Sequence, residues 1–197
     1  DIKLVVNGGV APYTYKWSNG ATTQNISQLT AGNYSVVIKD AKGCEKIADA
    51  QITEPPRFIA SLESDRNILC NGENTGEVIV RVNGGVTPYT FKWSNGAASQ
   101  NLNDVAAGKY TLNATDANGC AQTVTTTLTE PTKIDYSVKS VKNVHCFGEK
   151  DGAIDISVAG GVGPYSYAWN NDATSQDLEG MPAGKYNVRI SDVNNCV

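Results

Sequence analysis

Residues Pro12–Gly20 read PYTYKWSNG, and the phrase returns as PYTFKWSNG at Pro88–Gly96 and as PYSYAWNND at Pro164–Asp172. Trp17, Trp93 and Trp169 are spaced 76 residues apart, Cys44, Cys120 and Cys196 keep the same interval, and so do Cys70 and Cys146. Copies that diverge without a net insertion or deletion form a tandem array. Within the phrase the aromatics fall at every second position, so on a strand Tyr13, Tyr15 and Trp17 project from one face while Thr14 and Lys16 project from the other. Tyr89, Phe91 and Trp93 repeat the pattern, as do Tyr165, Tyr167 and Trp169. Three rings, each able to bury on the order of 150–250 Å², supply much of the core of a small β-sandwich. Each unit needs its own set.

The flanking sequence extends this reading. Upstream, Val78, Val80 and Val82 share one strand face, matched by Ile2, Leu4 and Val6 and by Ile154, Ile156 and Val158. An earlier strand carries Phe58, Ala60 and Leu62, matched by Ile134, Tyr136 and Val138. Gly84-Gly85 then permits a sharp turn. Asn19-Gly20 and Asn95-Gly96 read as tight turns in which Asn and Gly supply positive φ, with Asn171-Asp172 as a turn-competent variant. Downstream, Tyr34, Tyr110 and Tyr186 each follow an Ala-Gly pair. Tyr110, Leu112 and Ala114 alternate inward, and the tyrosine resembles the tyrosine corner of immunoglobulin-like sandwiches. A last strand, QTVTTTLTEP, turns Val124 and Leu128 inward and closes on Glu130-Pro131, which like Glu54-Pro55 marks a short, stiff junction. Six or seven short strands per unit predict an all-β chain of tandem immunoglobulin-like β-sandwich domains in a head-to-tail rod. The units run as a partial repeat over 1–55 that lacks its first strand and first cysteine, a complete repeat over 56–131, and a repeat over 132–197 that lacks its last strand. The chain thus starts and stops inside a unit.

The net charge of −4 and the pI near 5.0, with basic residues dispersed, exclude an electrostatic footprint for nucleic acid. No apolar run approaches the roughly 20 residues that span a bilayer, which argues against membrane insertion, and no signal peptide is visible. Charged residues make up 18% of a chain rich in Gly, Thr, Ser and Asn, a composition suited to extracellular β domains. The five cysteines allow two pairings: Cys70–Cys120 with Cys146–Cys196 inside units, or Cys44–Cys70 with Cys120–Cys146 across junctions. The in-unit pairing is favoured because the segment from Cys44 to Cys70 holds two strands that lead away from each other in a rod, and it leaves Cys44 to a partner outside the fragment. A bridge closing a loop of about 50 residues stabilises by about 4 kcal/mol in the chain-entropy model and implies an oxidising compartment. No C-x-x-C pair and a single histidine argue against a metal site, and nothing in the sequence calls for a cofactor.

His145 has Leu69 at the equivalent place in the central unit, which makes it an ordinary strand-end residue. No serine or cysteine nucleophile has a base repeated at matched spacing, so no catalytic residue is assigned. Asp40, Asp116 and Asp192 sit in Asp-x-x-Gly or Asp-x-x-Asn turns; one carboxylate per turn is too few for Ca²⁺, and a turn-forming role is preferred. The serious rival for Tyr89, Phe91 and Trp93 is an exposed platform for sugars. The exposure of Trp93 decides between platform and core.

The order C-x-G-x-x-x-G from Cys70 to Gly76, then V-x-G-G-x-x-P-Y-x-F-x-W-S-N-G from Val82, A-G-x-Y from Ala107, D-A-x-G-C from Asp116 and a closing T-E-P resembles the SprB-type repeats of Bacteroidota surface adhesins. The third unit departs at Asn171, Asp172 and Asn195, which touches turns more than core. The resemblance implies a non-catalytic repeat segment of a large cell-surface adhesin, exported by type IX secretion and serving attachment and gliding motility. Its implied partners are external surfaces or polysaccharides, neighbouring repeats, and the motility machinery through the parent protein. It carries over no ligand residues. The alternative is an array of carbohydrate-binding modules that use the repeated aromatics.

Overall fold

Short alternating segments cut by Gly, Pro and Asn are too brief and of the wrong period for helices. The computed structural model, which describes residues Asp1 to Val197, accordingly consists of antiparallel strands joined by turns, with no helix. The chain forms two compact units, Asp1–Pro56 and Arg57–Val197.

The first unit holds β1 (Thr14–Trp17), β2 (Gly32–Lys39) and β3 (Glu45–Ile52), hydrogen-bonded in that order into one sheet. Its core is Trp17, Ile26, Val36 and Ile38, with Ile2, Leu4 and Val6 packed against it. The strand expected at Ile2–Val6 shrinks to a single bridge between Ile2 and Ile26. Its equivalent in the central repeat runs between two neighbours, whereas here no preceding strand flanks it.

The second unit begins with β4 (Ile59–Arg66), β5 (Gly76–Asn83), β6 (Thr90–Trp93), β7 (Leu102–Val105), β8 (Gly108–Thr115) and β9 (Ala121–Leu128). They make two sheets, β4-β5-β7 and β6-β8-β9. The aromatic strand β6 therefore pairs with β8, two strands on, and not with its sequence neighbours. Lettered along the chain, these are the A-B-E and C-F-G sheets of an immunoglobulin-like sandwich without its fourth strand, and Trp93 occupies the strand C position. Between the sheets lie Val78, Val80, Trp93, Leu112 and Leu128, each nearly inaccessible. At the start of β8 the Tyr110 hydroxyl donates to the carbonyl of Ala106 at 2.8 Å, and Tyr34 and Tyr186 make the same bond to Thr30 and Pro182 at 2.9 and 2.8 Å. That is the bond that defines a tyrosine corner.

The third repeat comprises β10 (Asp135–Lys142), β11 (Gly152–Ala159), β12 (Ser166–Trp169), β13 (Leu178–Met181) and β14 (Val188–Ser191), in sheets β10-β11-β13 and β12-β14. Its core is Ile156, Trp169, Leu178 and Ile190. The face shared by Phe58, Ala60 and Leu62, and by Ile134, Tyr136 and Val138, opens to solvent along the strand. Tyr136 and Val138 are 57% and 53% exposed, and Leu62, the counterpart of Val138, is 40% exposed even though β9 is present in its repeat. The register of β4 against β5 shifts just after Leu62, between Leu62 and Ser64, as that of β10 against β11 does just after Val138.

Truncating a side chain between the sheets leaves a cavity, so Trp93→Ala should cost the central repeat about 3–5 kcal/mol. Leu62→Ala should cost less than about 1 kcal/mol, since little apolar area is lost to water. Urea unfolding of both variants followed by far-ultraviolet circular dichroism checks the difference.

Candidate functional site

The aromatic phrase is the first candidate, and its rings belong to the cores. Trp17, Trp93 and Trp169 are 3%, 2% and 6% exposed. Their indole N–H groups donate to the carbonyls of Thr23, Ser99 and Ser175 at 2.8–2.9 Å, so the one polar atom of each ring is satisfied. The leading tyrosines are half-buried and point their hydroxyls back at the glycine turn. Tyr13 donates to Gly8 O at 2.7 Å, Tyr89 to Gly84 O at 2.6 Å, and Tyr165 to Gly160 O. Tyr89 also lies against Phe58, with ring centroids 5.4 Å apart. Tyr15, Phe91 and Tyr167 are half-buried on the same three cores, as are Tyr34 and Tyr186, while Tyr110 is buried. In the turn that follows, only the third residue takes positive φ: Gly20, Gly96 and Asp172, at +87°, +89° and +65°. The preceding asparagines contribute a side-chain acceptor instead, Asn95 Oδ1 taking the N–H of Ala97 at 3.1 Å.

A second repeated feature escaped the sequence reading. Gln100 Nε2 donates to the carbonyl of Val80 at 2.5 Å while Asn101 Oδ1 accepts its N–H at 2.9 Å. Gln24 and Asn25 do the same for Leu4, and Gln176 and Asp177 for Ile156. In the central copy two side chains thus stand in for a strand just before β7 begins, and they complete the hydrogen bonding of β5 at Val80. The signal was present as a Gln-Asn or Gln-Asp pair at the 76-residue period, but polar pairs in a loop carry no hydrophobic pattern.

The Asp turns are anion sites for the protein's own backbone. Asp116 is 5% exposed, and its Oδ2 accepts the N–H of Val86 at 3.0 Å while Oδ1 accepts those of Asn118 and Cys120, both at 2.9 Å. Asp192 binds Val162, Asn194 and Cys196, and Asp40 binds Val10, Lys42 and Cys44. Each carboxylate therefore ties the turn that follows β2, β8 or β14 to the Gly-Gly turn, across 30 residues. Gly85 has to be glycine here: at φ +67° its Cβ would lie 2.8 Å from both Asp116 Oδ2 and Phe58 Cδ2. For Asp116 and Asp192, burial pushes the carboxyl pKa up, and the amide donors outweigh it, so the net displacement is below the ordinary 3.8. For Asp40 the amide of Cys44 leads and the direction is the same.

The cysteines lie at the two ends of each sandwich. Cys70 occupies the β4–β5 loop, which is held to the end of β9 by Ile68 N–H on Thr129 O at 3.0 Å, Asn71 Nδ2 on Pro131 O at 3.0 Å and Gly72 N–H on Glu130 Oε2 at 2.7 Å. Cys120 immediately precedes β9, in the Asp turn. An eight-residue strand separates them by about 25 Å at 3.3 Å per residue, against a Cα separation of at most about 7 Å in a disulfide. The expected Cys70–Cys120 and Cys146–Cys196 pairs are therefore corrected. Cys70 bonds Cys196 of the following repeat, with Cα atoms 5.4 Å apart, and Cys44, Cys120 and Cys146 are free and exposed. Asn194 Nδ2 on Leu69 O at 3.2 Å and Gly161 N–H on Thr132 O at 2.7 Å complete this junction.

Comparison with protein families matches three segments, residues 1–22, 65–98 and 138–174, to the SprB repeat. Comparison with curated proteins returns no match. Among solved structures, the N-terminal eight Ig domains of Down Syndrome Cell Adhesion Molecule isoform 1.30.30 are 9% identical, with 81% of this chain and 29% of that chain covered at a TM-score of 0.29. Sidekick-1 immunoglobulin domains 1–4 are 14% identical, with 89% and 60% covered at a TM-score of 0.27. The chain thus spans less than two thirds of the length of either structure, and strand order with the tyrosine corner, not superposition, carries the fold.

A carboxyl with a folded-state pKa below its unfolded one stabilises the fold above the unfolded value, and that contribution is lost as pH falls through the folded value. The thermal midpoint should therefore hold steady from neutrality to about pH 4 and fall below it. Asp116→Asn should lower the neutral-pH midpoint and flatten that acid limb, which differential scanning calorimetry from pH 2 to 7 measures.

Proposed function

Taking the chain as an array of SprB repeats, we propose that it is a non-catalytic segment of a large secreted cell-surface adhesin, a semi-rigid shaft that presents many weak contact surfaces for attachment and gliding motility. One observation carries this reading: every copy commits its aromatic phrase to its own core, while the ends of the second and third copies are joined covalently. Residues repeated at fixed spacing therefore serve the fold and the junction. Side chains for acid, base or nucleophile chemistry are not what the period preserves.

Export to the cell exterior, by type IX secretion in the family that the repeats resemble, accords with the disulfide, which persists in oxidising surroundings. Multivalence supplies the adhesive logic. When many copies share one chain, the second and later contacts are intramolecular, and overall avidity exceeds single-site affinity by orders of magnitude. The partners under this reading are external surfaces or polysaccharides, and the motility machinery acts through the parent protein. The carbohydrate-module alternative needs open ring faces, and the burial of Trp93 weighs against it.

The test is retention of the oxidised, monomeric chain on glass and on a panel of polysaccharides, with Trp93 emission followed in a variant carrying Trp17→Phe and Trp169→Phe. Weak retention that rises steeply with the number of repeats, with Trp93 shielded from acrylamide and unmoved by sugar, is the expected result. Saturable binding of one sugar that shifts Trp93 emission would replace the shaft with a carbohydrate module.

A further inference from the structure

We propose that the cysteines form a ladder between repeats: the cysteine in the first interstrand loop of each repeat bonds the cysteine of the Asp turn in the next. Cys44, Cys120 and Cys146 are then disulfide sites for further copies of the repeat. The inference rests on the array reading given above, but not on what the array adheres to.

The bonded pair and the free cysteines occupy matching positions. Cys196 bonds Cys70, and Cys120 and Cys44 are the counterparts of Cys196 at one and two periods back, while Cys146 is the counterpart of Cys70 one period on. Their local geometry is the same. Asp40, Asp116 and Asp192 each hold the following cysteine by its N–H at 2.8, 2.9 and 3.0 Å, and each donates its own N–H to that cysteine's carbonyl at 3.0 Å. In the loop, Glu73 N–H donates to Cys70 O and Glu149 N–H to Cys146 O, both at 3.2 Å. The free thiols are thus presented as the bonded sulfurs are, and all three are exposed. The bonded pair is 126 residues apart. The same offset places the partners of Cys44 and Cys120 before Asp1 and the partner of Cys146 after Val197, which is why none of them finds a partner within this chain.

Each rung forms by exchange with a disulfide oxidant. One cysteine thiolate attacks the oxidant's S–S bond and expels one of its sulfurs as a thiolate. The second cysteine thiolate then attacks the mixed disulfide and expels the other. Two protein thiols lose two protons and two electrons, and one oxidant disulfide becomes two thiols.

The experiment compares this chain with one in which residues 56–131 are present twice in tandem, both folded in a glutathione redox buffer and mapped by mass spectrometry after thiol blocking. In the ladder the present chain shows Cys70–Cys196 with three free thiols. The extended chain gains one bond, from the first-copy Cys70 to the second-copy Cys120, while the second-copy Cys70 bonds Cys196, and again three thiols are free. Bonds within copies, leaving Cys44 as the one free thiol in either chain, would overturn the ladder and leave the adhesin reading standing. So would an extended chain that forms one bond alone. Cys120→Ser in the present chain guards against misfolding of the longer one: it should leave the Cys70–Cys196 bond intact, whereas pairing within the repeat would release Cys70 as a thiol.

Discussion

One carboxylate, buried in the second and third copies, organises an end of each sandwich. Asp116 takes amides from the Gly-Gly turn and from its own turn at once, so two connections that are 30 residues apart in sequence become one surface. A buried anion without partners would be costly, and three backbone donors are the reason it can be there. The glycine at position 85 follows from it, since any Cβ would occupy the carboxylate's space. So does the placement of the cysteine, whose N–H is one of the donors. The third copy keeps this arrangement with Asn195 in the place that Gly119 holds in the central copy, at φ +63°, a region that asparagine tolerates better than most residues.

The length of the strands then decides the covalent chemistry. An eight-residue strand holds the Asp turn and the first loop at opposite ends of a sandwich, so the two cysteines of a repeat cannot meet. The loop end of one repeat and the Asp-turn end of the next do meet within Arg57–Val197, at the Glu130-Pro131 junction. There Glu130 caps the Cys70 loop through Gly72, and Gly161 donates to Thr132 just beyond the proline. A sandwich of this size gains little from its own core. Closing a loop of more than 100 residues in the unfolded chain stabilises by about 5 kcal/mol in the chain-entropy model, and that gain falls on two repeats together.

Much of this was legible in the sequence because it is periodic twice over. The two-residue alternation of Tyr89, Phe91 and Trp93 marks a strand with one apolar face, and the 76-residue period says that each copy does so separately. The tyrosine corner was legible because a tyrosine after Ala-Gly has one nearby carbonyl to reach. The disulfide was not, because its geometry depends on which ends of which strands lie together. The strands between Cys44 and Cys70 carry no information on how Cys70 lies against Cys196. Gln100 and Asn101 were missed since side chains acting as backbone leave no mark in hydropathy. Leu62 shows the limit of alternation itself: it is in register opposite the buried Val80 and is still 40% exposed.

The spacing of the rungs has a mechanical consequence that follows from the numbering alone. The bonded cysteines are 126 residues apart and the period is 76, so loops closed by successive rungs overlap. In a ladder, the shortest covalent path along the array enters a repeat at its Asp-turn cysteine, runs back through the 50 residues to its loop cysteine, and crosses the next rung. Each repeat can then release no more than those 50 residues under tension, where an uncrosslinked repeat would release all 76. In such a ladder the extension of the array would be limited by its sulfurs even after a repeat unfolds.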